Sequence, residues 1–557
     1  MAYNMTNITF FYIFLSSFLI SLVMTPPMSH LAIRIGGIDK PDDRKVHSYE
    51  TPRLGGIALF CAFLFSVLFF IDIDRQIKSF LAGAIVIFLT GLVDDLSCLS
   101  PRNKLIGQIV ASCVSVISGG LFITTLGNPL GLGQVDLGVM GVPFTLFVVV
   151  GVINAINLID GLDGLAGGVS AVACLAFGVL AWKTGNSNLL ALVVALVGAI
   201  FGFLRYNTYP ARIFMGDSGS LFLGYCMAFF SVILLKGSHG SISPVAPLII
   251  LGVPIFDTLV VMCRRKLRGK RVSSPDKTHI HHRLMDLGFG HRFSVLMIYG
   301  WAYLLAVSAL LLQGTRDSIQ MLTLVLFCAG LYAFLTWLNA SNKIQNINLL
   351  QNNSSLRLSN TYRSIVTRSR VLLVIMKYLL MLVLSLVVIV KPYYESAIAF
   401  AGGALLIAIS LLLIIGSRWS NSILQYVIYL SGLLGIFIIE NYGYQSQVYG
   451  FNLVWISHLL FASLFSAVVI KTVLRQRAVH LMNSKFEYLI LFVVLAIPLF
   501  PANFIEDFHL MSVAAKSAIM FVAYKLILMR QVRKNRKILA ATFFALLALV
   551  IRYLLHQ

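Results

Sequence analysis

Apolar runs of about 20 residues, the length one helix needs to cross the hydrocarbon core, recur along almost the whole chain. They centre near residues 18, 62, 87, 114, 148, 172, 197, 224, 253, 303 and 329. After one polar stretch they resume near 381, 406, 430, 461, 493, 519 and 546. The pattern predicts an all-α polytopic membrane protein with about 18 transmembrane helices. The polar stretch, residues 339–370, reads NASNKIQNINLLQNNSSLRLSNTYRSIVTRSR. It is rich in Asn and Ser and has no long apolar run, so it reads as a cytoplasmic linker. The chain thus divides into an eleven-span core (1–338), the linker (339–370) and a seven-span extension (371–557).

Composition agrees with that division into spans. Of 557 residues, 59% are hydrophobic and 11% are charged, against about 25% charged in a soluble domain. A string of soluble domains, a disordered chain and a fibrous chain are all excluded. The net charge of +22 then has a topological reading. Alternation from an outside N-terminus puts about three quarters of the Lys and Arg into cytoplasmic segments, as the positive-inside rule requires. The largest cluster, Arg264, Arg265, Lys266, Arg268, Lys270 and Arg271, falls in the segment between the ninth and tenth spans. The expectation is therefore an inner-membrane protein with a periplasmic N-terminus. The surplus charge calls for anionic lipid heads and anionic substrates, not nucleic acid. The first run, from about Ile8 to Met24, has no Lys or Arg before it. It reads as a retained span, because a secretory signal needs a positive leading region. The seven cysteines form no CxxC pair, so they read as small buried hydrophobes without a disulfide framework or zinc site.

Carboxylates are few, and most stand at span ends, where ionisable groups in a membrane protein suggest function. Asp94 and Asp95 end the third span, in GLVDDLSCLSPRNKLIGQ. Asp160 and Asp163 follow the fifth, in NAINLIDGLDGLAGG, and Asp217 opens the eighth, in RIFMGDSGSLFLG. Asp276, His279, His281 and His282 precede the tenth, in SPDKTHIHHRL. Each segment has a plain structural reading: an interfacial acid pair, an Asn/Gly turn, a helix N-cap or a surface loop. Charge counting alone places all four on the cytoplasmic side. Several carboxylates and an Asn with Gly-rich turns make an oxygen-ligand set for a hard cation. Magnesium takes one or two carboxylates and completes its shell with water and substrate phosphate. Lys104 and Arg102 beside it suit a phosphate-bearing substrate. The set suggests phosphoryl transfer onto a lipid at the membrane surface.

These motifs resemble the polyprenyl-phosphate N-acetylhexosamine-1-phosphate transferases, that is, glycosyltransferase family 4. The carrying residues are TPRLGG (51–56), the Asp94–Asp95 pair, Lys104 in KLIGQ, NAINLIDGLDG (154–164), FMGDSGS (214–220) and HIHHR (279–283). They stand in the family's order within residues 1–338, about three fifths of the chain. His-Ile-His-His-Arg, in place of three consecutive histidines, looks like the bacterial undecaprenyl-phosphate GlcNAc-1-phosphate transferase branch. The resemblance implies transfer of GlcNAc-1-phosphate from a UDP-N-acetylhexosamine to undecaprenyl phosphate, with release of UMP. That step starts a lipid-linked cell-surface polysaccharide of the O-antigen type.

The roles implied by the resemblance follow the motifs. Asp217 and Asn157 look like ligands of Mg²⁺, with Mn²⁺ as a substitute. Asp94, Asp95, Lys104 and His279 look catalytic: Lys104 meets a phosphate, and Asp94 deprotonates or positions the lipid phosphate. Asp160, Asp163, Phe214, His281, His282 and Arg283 look like substrate contacts, Phe214 as a platform for the uracil ring. A homodimer is compatible with all of this. Two alternatives stay open: the phospho-MurNAc-pentapeptide transferase of peptidoglycan synthesis, and a transporter of lipid-linked sugars. The latter should carry its carboxylates near the bilayer midplane. The seven-span extension departs from the family pattern and has no acidic cluster. Its Lys377, Lys516 and Lys525 could meet a phosphate, but read more plainly as lysines that snorkel to the interface.

Overall fold

A computed structural model describes residues 7–39, 50–238, 240–269, 279–287, 289, 291–340, 370–390, 396–415, 418–448, 451–473, 509–528 and 535–555. The chain is helical apart from two antiparallel two-residue strand pairs and one isolated bridge among these residues. Twelve described helices are long and apolar enough to cross a membrane. The protein is therefore an all-helical polytopic membrane protein. Apolar runs near 62, 406 and 461 form shorter helices, and the run near 493 lies outside the described residues. The described residues divide into two compact units, one reaching residue 340 and the other beginning at residue 370.

The first unit begins with α1 (Asn7–Ile35), α2 (Gly55–Phe70), α3 (Arg75–Ser97) and α4 (Pro101–Cys113). A π-helical turn, Val114–Ser118, continues α4. Then come α5 (Gly141–Ile159), α6 (Leu165–Lys183), α7 (Ser187–Asn207) and α8 (Gly216–Gly237). The span expected near 253 is broken into α9 (Val245–Ile250) and α10 (Gly252–Leu267). Pro254 explains the break: its ring would collide with the carbonyl four residues back, and that carbonyl belongs to Ile250, the last residue of α9. The unit closes with α11 (Ile280–Asp286), α12 (His291–Leu311) and α13 (Asp317–Ala340).

Helices α6, α7 and α8 form the core, with 89%, 83% and 89% of their spans buried. Lipid offers no hydrophobic drive for one helix to leave it for another, so small residues and polar links do the packing. On α1, the Ser17 and Ser21 hydroxyls donate to the α7 carbonyls of Ala195 (2.6 Å) and Ala199 (2.7 Å). Helix α8 is gripped from two sides. A side chain at Gly56 of α2 would strike Gly219, and one at Gly91 of α3 would meet the Asp217–Ser218 backbone at 2.5 Å.

The second unit contains α14 (Arg370–Ile389), α15 (Ser396–Ile415), α16 (Arg418–Tyr442), α17 (Leu453–Val473), α18 (Leu510–Leu528) and α19 (Arg536–Leu555). Here the expectation that Lys516 snorkels is corrected. The Lys516 ammonium donates to Glu440 of α16 and to the Ser457 hydroxyl of α17 at 2.8 Å, and lies 5.6 Å from the Phe461 ring centre. Both ions are buried. A charged partner two helices away was available inside the bundle, and a paired ammonium has no reason to reach for water. Removing one ion should leave the other uncompensated, at a cost of about 3–5 kcal/mol, whereas replacing both should recover most of it. Lys516→Met should therefore lower the melting temperature of the purified chain in detergent, and the double variant Glu440→Gln/Lys516→Met should restore it. A single variant that melts like the parent would contradict the pairing.

Candidate active site

The four motif segments meet at one end of the first unit, where α3, α5 and α7 finish and α4, α6 and α8 begin. They surround a cavity of about 420 Å³ whose lining includes Asp95, Asn157, Asp160, Asp163, Phe214 and Asp217. Arg53, Asn207, Tyr209, Ser220, His282 and His291 also face it.

Asp95 organises the floor. The first N–H groups of a helix have no partner within the helix, and α8 has no side-chain cap of its own. Asp95 supplies one from α3: its Oδ1 accepts from the Asp217 N–H (2.8 Å) and its Oδ2 from the Ser218 N–H (3.0 Å). A carboxylate there also meets the positive end of the helix dipole. Gly216, with φ +69°, makes the approach feasible, since a side chain there would strike the Asp95 carboxylate and the Arg53 carbonyl. Arg53 holds the other side of Asp95, donating from Nη2 (2.7 Å) and Nε (3.1 Å) to its backbone carbonyl. The Phe214 and Gly55 N–H groups bond Pro52 (2.7 Å) and Phe214 (3.0 Å), so TPRLGG and FMGDSGS lie side by side.

Asp94 has a different job. Its Oδ1 accepts from the Leu99 N–H at 2.7 Å, and its Oδ2 lies 3.0 Å from the Lys104 ammonium. Lys104 also donates to Asp217 Oδ1 at 2.5 Å. One ammonium is thus held between carboxylates from two different helices. The Asn157 amide donates to the same Asp217 oxygen (2.6 Å) and to the Ser220 hydroxyl (2.7 Å).

The NLIDGLDG turn forms the facing wall. The Gly164 N–H donates to Asn207 Oδ1 (3.0 Å), its carbonyl accepts from Tyr299 (2.5 Å), and the Ala211 N–H donates to Asp163 Oδ2 (3.0 Å). Asp160 keeps part of its surface in contact with solvent, yet protein crowds it closely. Burial, followed by the negative charges of Asp217, Asp163 and Asp95, pushes its pKa up to about 8.

The histidine motif divides. His282 faces the cavity. His281 is buried with its Nε2 against Gly161 of the acid turn. Burial, and then His282, His279 and His291, depress its pKa well below the ordinary imidazole value, so the ring is neutral. The buried His279 instead faces Asp257 of α10. Arg283 lies over the Tyr332 ring, 5.5 Å from its centre, beside Arg264 at 5.3 Å. Neither His279 nor Arg283 lines the cavity. Asp276 lies outside the described residues.

Sequence reasoning missed His291, which stacks on Tyr209 at 4.3 Å and whose Nε2 accepts from the Asp163 N–H at 3.3 Å. It also missed Asp257, hidden in a basic amphipathic helix. Arg53 stood within a quoted motif and could have been singled out.

Among the described residues, no three His, Cys, Asp or Glu side chains close into a cage for a metal. Magnesium would need no such cage, since it takes one or two carboxylates and leaves the rest of its shell to water and phosphate. The carboxylates lining the cavity, Asp95, Asp160, Asp163 and Asp217, and the crowded negative charge at Asp160 suit such an ion. A second cavity, of about 700 Å³ and lined by Thr125, Lys236, Asp317 and Gln320, lies at the far ends of the same helices. Asp217 and Lys236, at opposite ends of α8, are separated by about 28 Å, so the two cavities open toward opposite faces.

A helical membrane protein with carboxylates and an amide lining one cavity at its span ends, and an ammonium bonded to one of those carboxylates, has the equipment of a phosphate-handling membrane enzyme. The comparisons name the family. The family model of glycosyl transferase family 4 matches residues 77–235. A probable undecaprenyl-phosphate N-acetylglucosaminyl 1-phosphate transferase of Bacillus subtilis (strain 168) is 42% identical over 302 residues, covering 54% of this chain and 84% of that protein. The undecaprenyl-phosphate alpha-N-acetylglucosaminyl 1-phosphate transferase of Escherichia coli (strain K12) is 32% identical, with 55% and 84% covered. That of Yersinia pestis is also 32% identical, with 58% and 88% covered. The chain belongs to glycosyl transferase family 4.

The cap geometry makes a stability prediction. Gly216→Ala introduces a left-handed alanine, costing about 1–2 kcal/mol, and drives a methyl into the Asp95 carboxylate. Thermal unfolding should show a clear loss, larger than for Gly151→Ala, where a side chain would meet only open space. Equal melting temperatures for the two variants would contradict the cap.

Proposed function

We propose that this chain transfers N-acetylglucosamine 1-phosphate from its UDP-sugar to undecaprenyl phosphate, releasing UMP, at the cytoplasmic face of a bacterial inner membrane. The observation that carries the reading is Lys104, held between Asp94 and Asp217, the second of which lines the acid-rich cavity. The names of the relatives support it. An oxygen of the lipid phosphate attacks the β-phosphorus of the UDP-sugar, forming a new P–O bond. The bond from that phosphorus to the bridging oxygen breaks, and UMP leaves.

The residues then take distinct parts. A phosphate monoester has its second pKa near 6, so the acceptor is already an anion and Asp94 orients it through Lys104. Lys104 offsets the repulsion between the two phosphates. Asp217 and Asn157 would hold Mg²⁺, which supplies charge neutralisation on the donor diphosphate. Phe214 and Asp163 line the nucleotide side of the cavity, with His282 across from them. Asp95 acts by fixing Asp217, and the catalysis is mainly positioning.

Carboxylates at span ends rather than at the midplane favour an enzyme over a transporter. The positive-inside distribution supports a periplasmic N-terminus and cytoplasmic catalytic loops. The extension from residue 371, with the spans that complete about 18, is a separate module that the transfer step does not need.

Purified protein given undecaprenyl phosphate and a panel of UDP-N-acetylhexosamines should release UMP, fastest with UDP-GlcNAc. EDTA should abolish release and added Mg²⁺ should restore it. Asp217→Asn and Lys104→Met should each lower kcat by about 100-fold or more, the scale seen when a charge-stabilising group is removed. Full turnover in EDTA would refute the metal assignment, and absence of UMP with every UDP-sugar would refute the function.

A further inference from the structure

Asp257 belongs to none of the recognised motifs. It sits on α10 and is buried at 3% exposure, with both carboxylate oxygens engaged. Its Oδ2 lies 2.8 Å from His279 Nδ1, and its Oδ1 accepts from the Ile280 N–H, also at 2.8 Å. Ile280 is the first residue of α11. One carboxylate therefore ties down both the imidazole before the histidine helix and the first backbone group of that helix.

The tie matters because of what α11 carries. His279 and His281 have nearly parallel rings 5.8 Å apart, and His282 follows at 4.3 Å from His281. The buried His281 packs on Gly161, in the turn that holds Asp160 and Asp163. Gly161 has no side chain, which leaves the ring its place, and His282 is then delivered to the cavity. The chain of contacts runs from Asp257 through α11 to the nucleotide wall, and it does not pass through the Asp94–Lys104 side.

We infer that Asp257 is a positioning residue for the donor: it holds the histidine helix against the NLIDGLDG turn and sets which His279 nitrogen carries the proton. A carboxylate facing Nδ1 requires a proton there, and in the neutral ring that makes Nε2 the acceptor. The same logic orients imidazoles in metal sites and hydrolase triads. This inference rests on the transferase reading above.

Asp257→Asn separates the two duties. The Asn carbonyl still accepts from the Ile280 N–H, but its NH₂ now faces Nδ1 and forces the His279 proton to Nε2. The full-length protein should stay folded, melting within about 2 °C of the parent. Its kcat/KM for UDP-GlcNAc should fall about 10–100-fold, the usual range for losing such an outer partner, while KM for undecaprenyl phosphate stays unchanged. Asp257→Glu should restore part of the loss, and Asp257→Ala should not. Calorimetric titration with UDP-GlcNAc makes the test independent of turnover and should show weaker binding by Asp257→Asn. Parental constants and donor affinity in Asp257→Asn would overturn the inference. So would an equal rise in both KM values with a lowered melting temperature, the mark of general loosening. A parent chain that binds UDP-GlcNAc but never releases UMP would instead overturn the transferase reading.

Discussion

The site depends on one carboxylate closing the end of a helix to which it does not belong. Asp95 of α3 accepts the Asp217 and Ser218 N–H groups of α8. A cap of this kind is worth about 0.5–2 kcal/mol, a modest figure for stability. Its larger effect is on position. Because α8 is held at its first residues, Asp217 has a defined height and direction relative to Asp94, and Lys104 can reach both. The supporting features are glycines where backbones must touch: Gly91 and Gly56 let α3 and α2 reach the start of α8. Any side chain there would push the helices apart by more than a hydrogen bond tolerates.

The second constraint is charge. Asp94, Asp95, Asp160, Asp163 and Asp217 stand close together, with Lys104 the ammonium set among them. The protein meets the repulsion in different ways. Asp95 is answered by backbone dipoles, Asp94 and Asp217 by Lys104, and Asp160 by a pKa of about 8 that leaves it substantially protonated near neutrality. A site so arranged holds excess negative charge only while a cation compensates it. On the reading proposed, binding of a divalent ion and of a phosphate-bearing substrate would be cooperative in electrostatic terms, since each supplies what the other lacks.

Much of this was legible in the sequence. Long apolar runs announced the spans, and charge counting put the acid segments on one side; Asp95, Asn157, Asp160, Asp163, Phe214 and Asp217, scattered over more than a hundred residues, line one cavity, and Asp94 joins them through Lys104. Legibility ended where a residue's partner lies on another helix. Nothing local says that Asp95 caps α8 while its neighbour Asp94 meets Lys104, because the two are equivalent in composition and differ only in direction around the helix. His279 and Arg283 were grouped with His282 by adjacency. His279 precedes the first residue of α11 and meets Asp257, while His282 and Arg283 are successive residues about 100° apart on the helix and face the cavity and Tyr332. Pro254 did signal a break, yet an apolar window averages over one proline.

Lys516 and Glu440 show why the sites fall where they do. Glu440 too stands near a span end, two residues before the last of α16, but the pair is buried and enclosed, with Ser457 and Phe461 around it. It is saturated: each group satisfies the other, and little remains to engage a substrate. At the open cavity of the first unit the balance differs. Helix termini provide unpaired N–H groups, loops provide turns, and water absorbs the charge that protein does not. A carboxylate there can be half satisfied, as Asp217 is, with one oxygen on Lys104 and Asn157 and its side chain still facing the cavity. Chemistry on an anionic lipid headgroup needs groups in that half-satisfied state at the depth of the headgroup. A helical membrane protein can offer them only where its spans end.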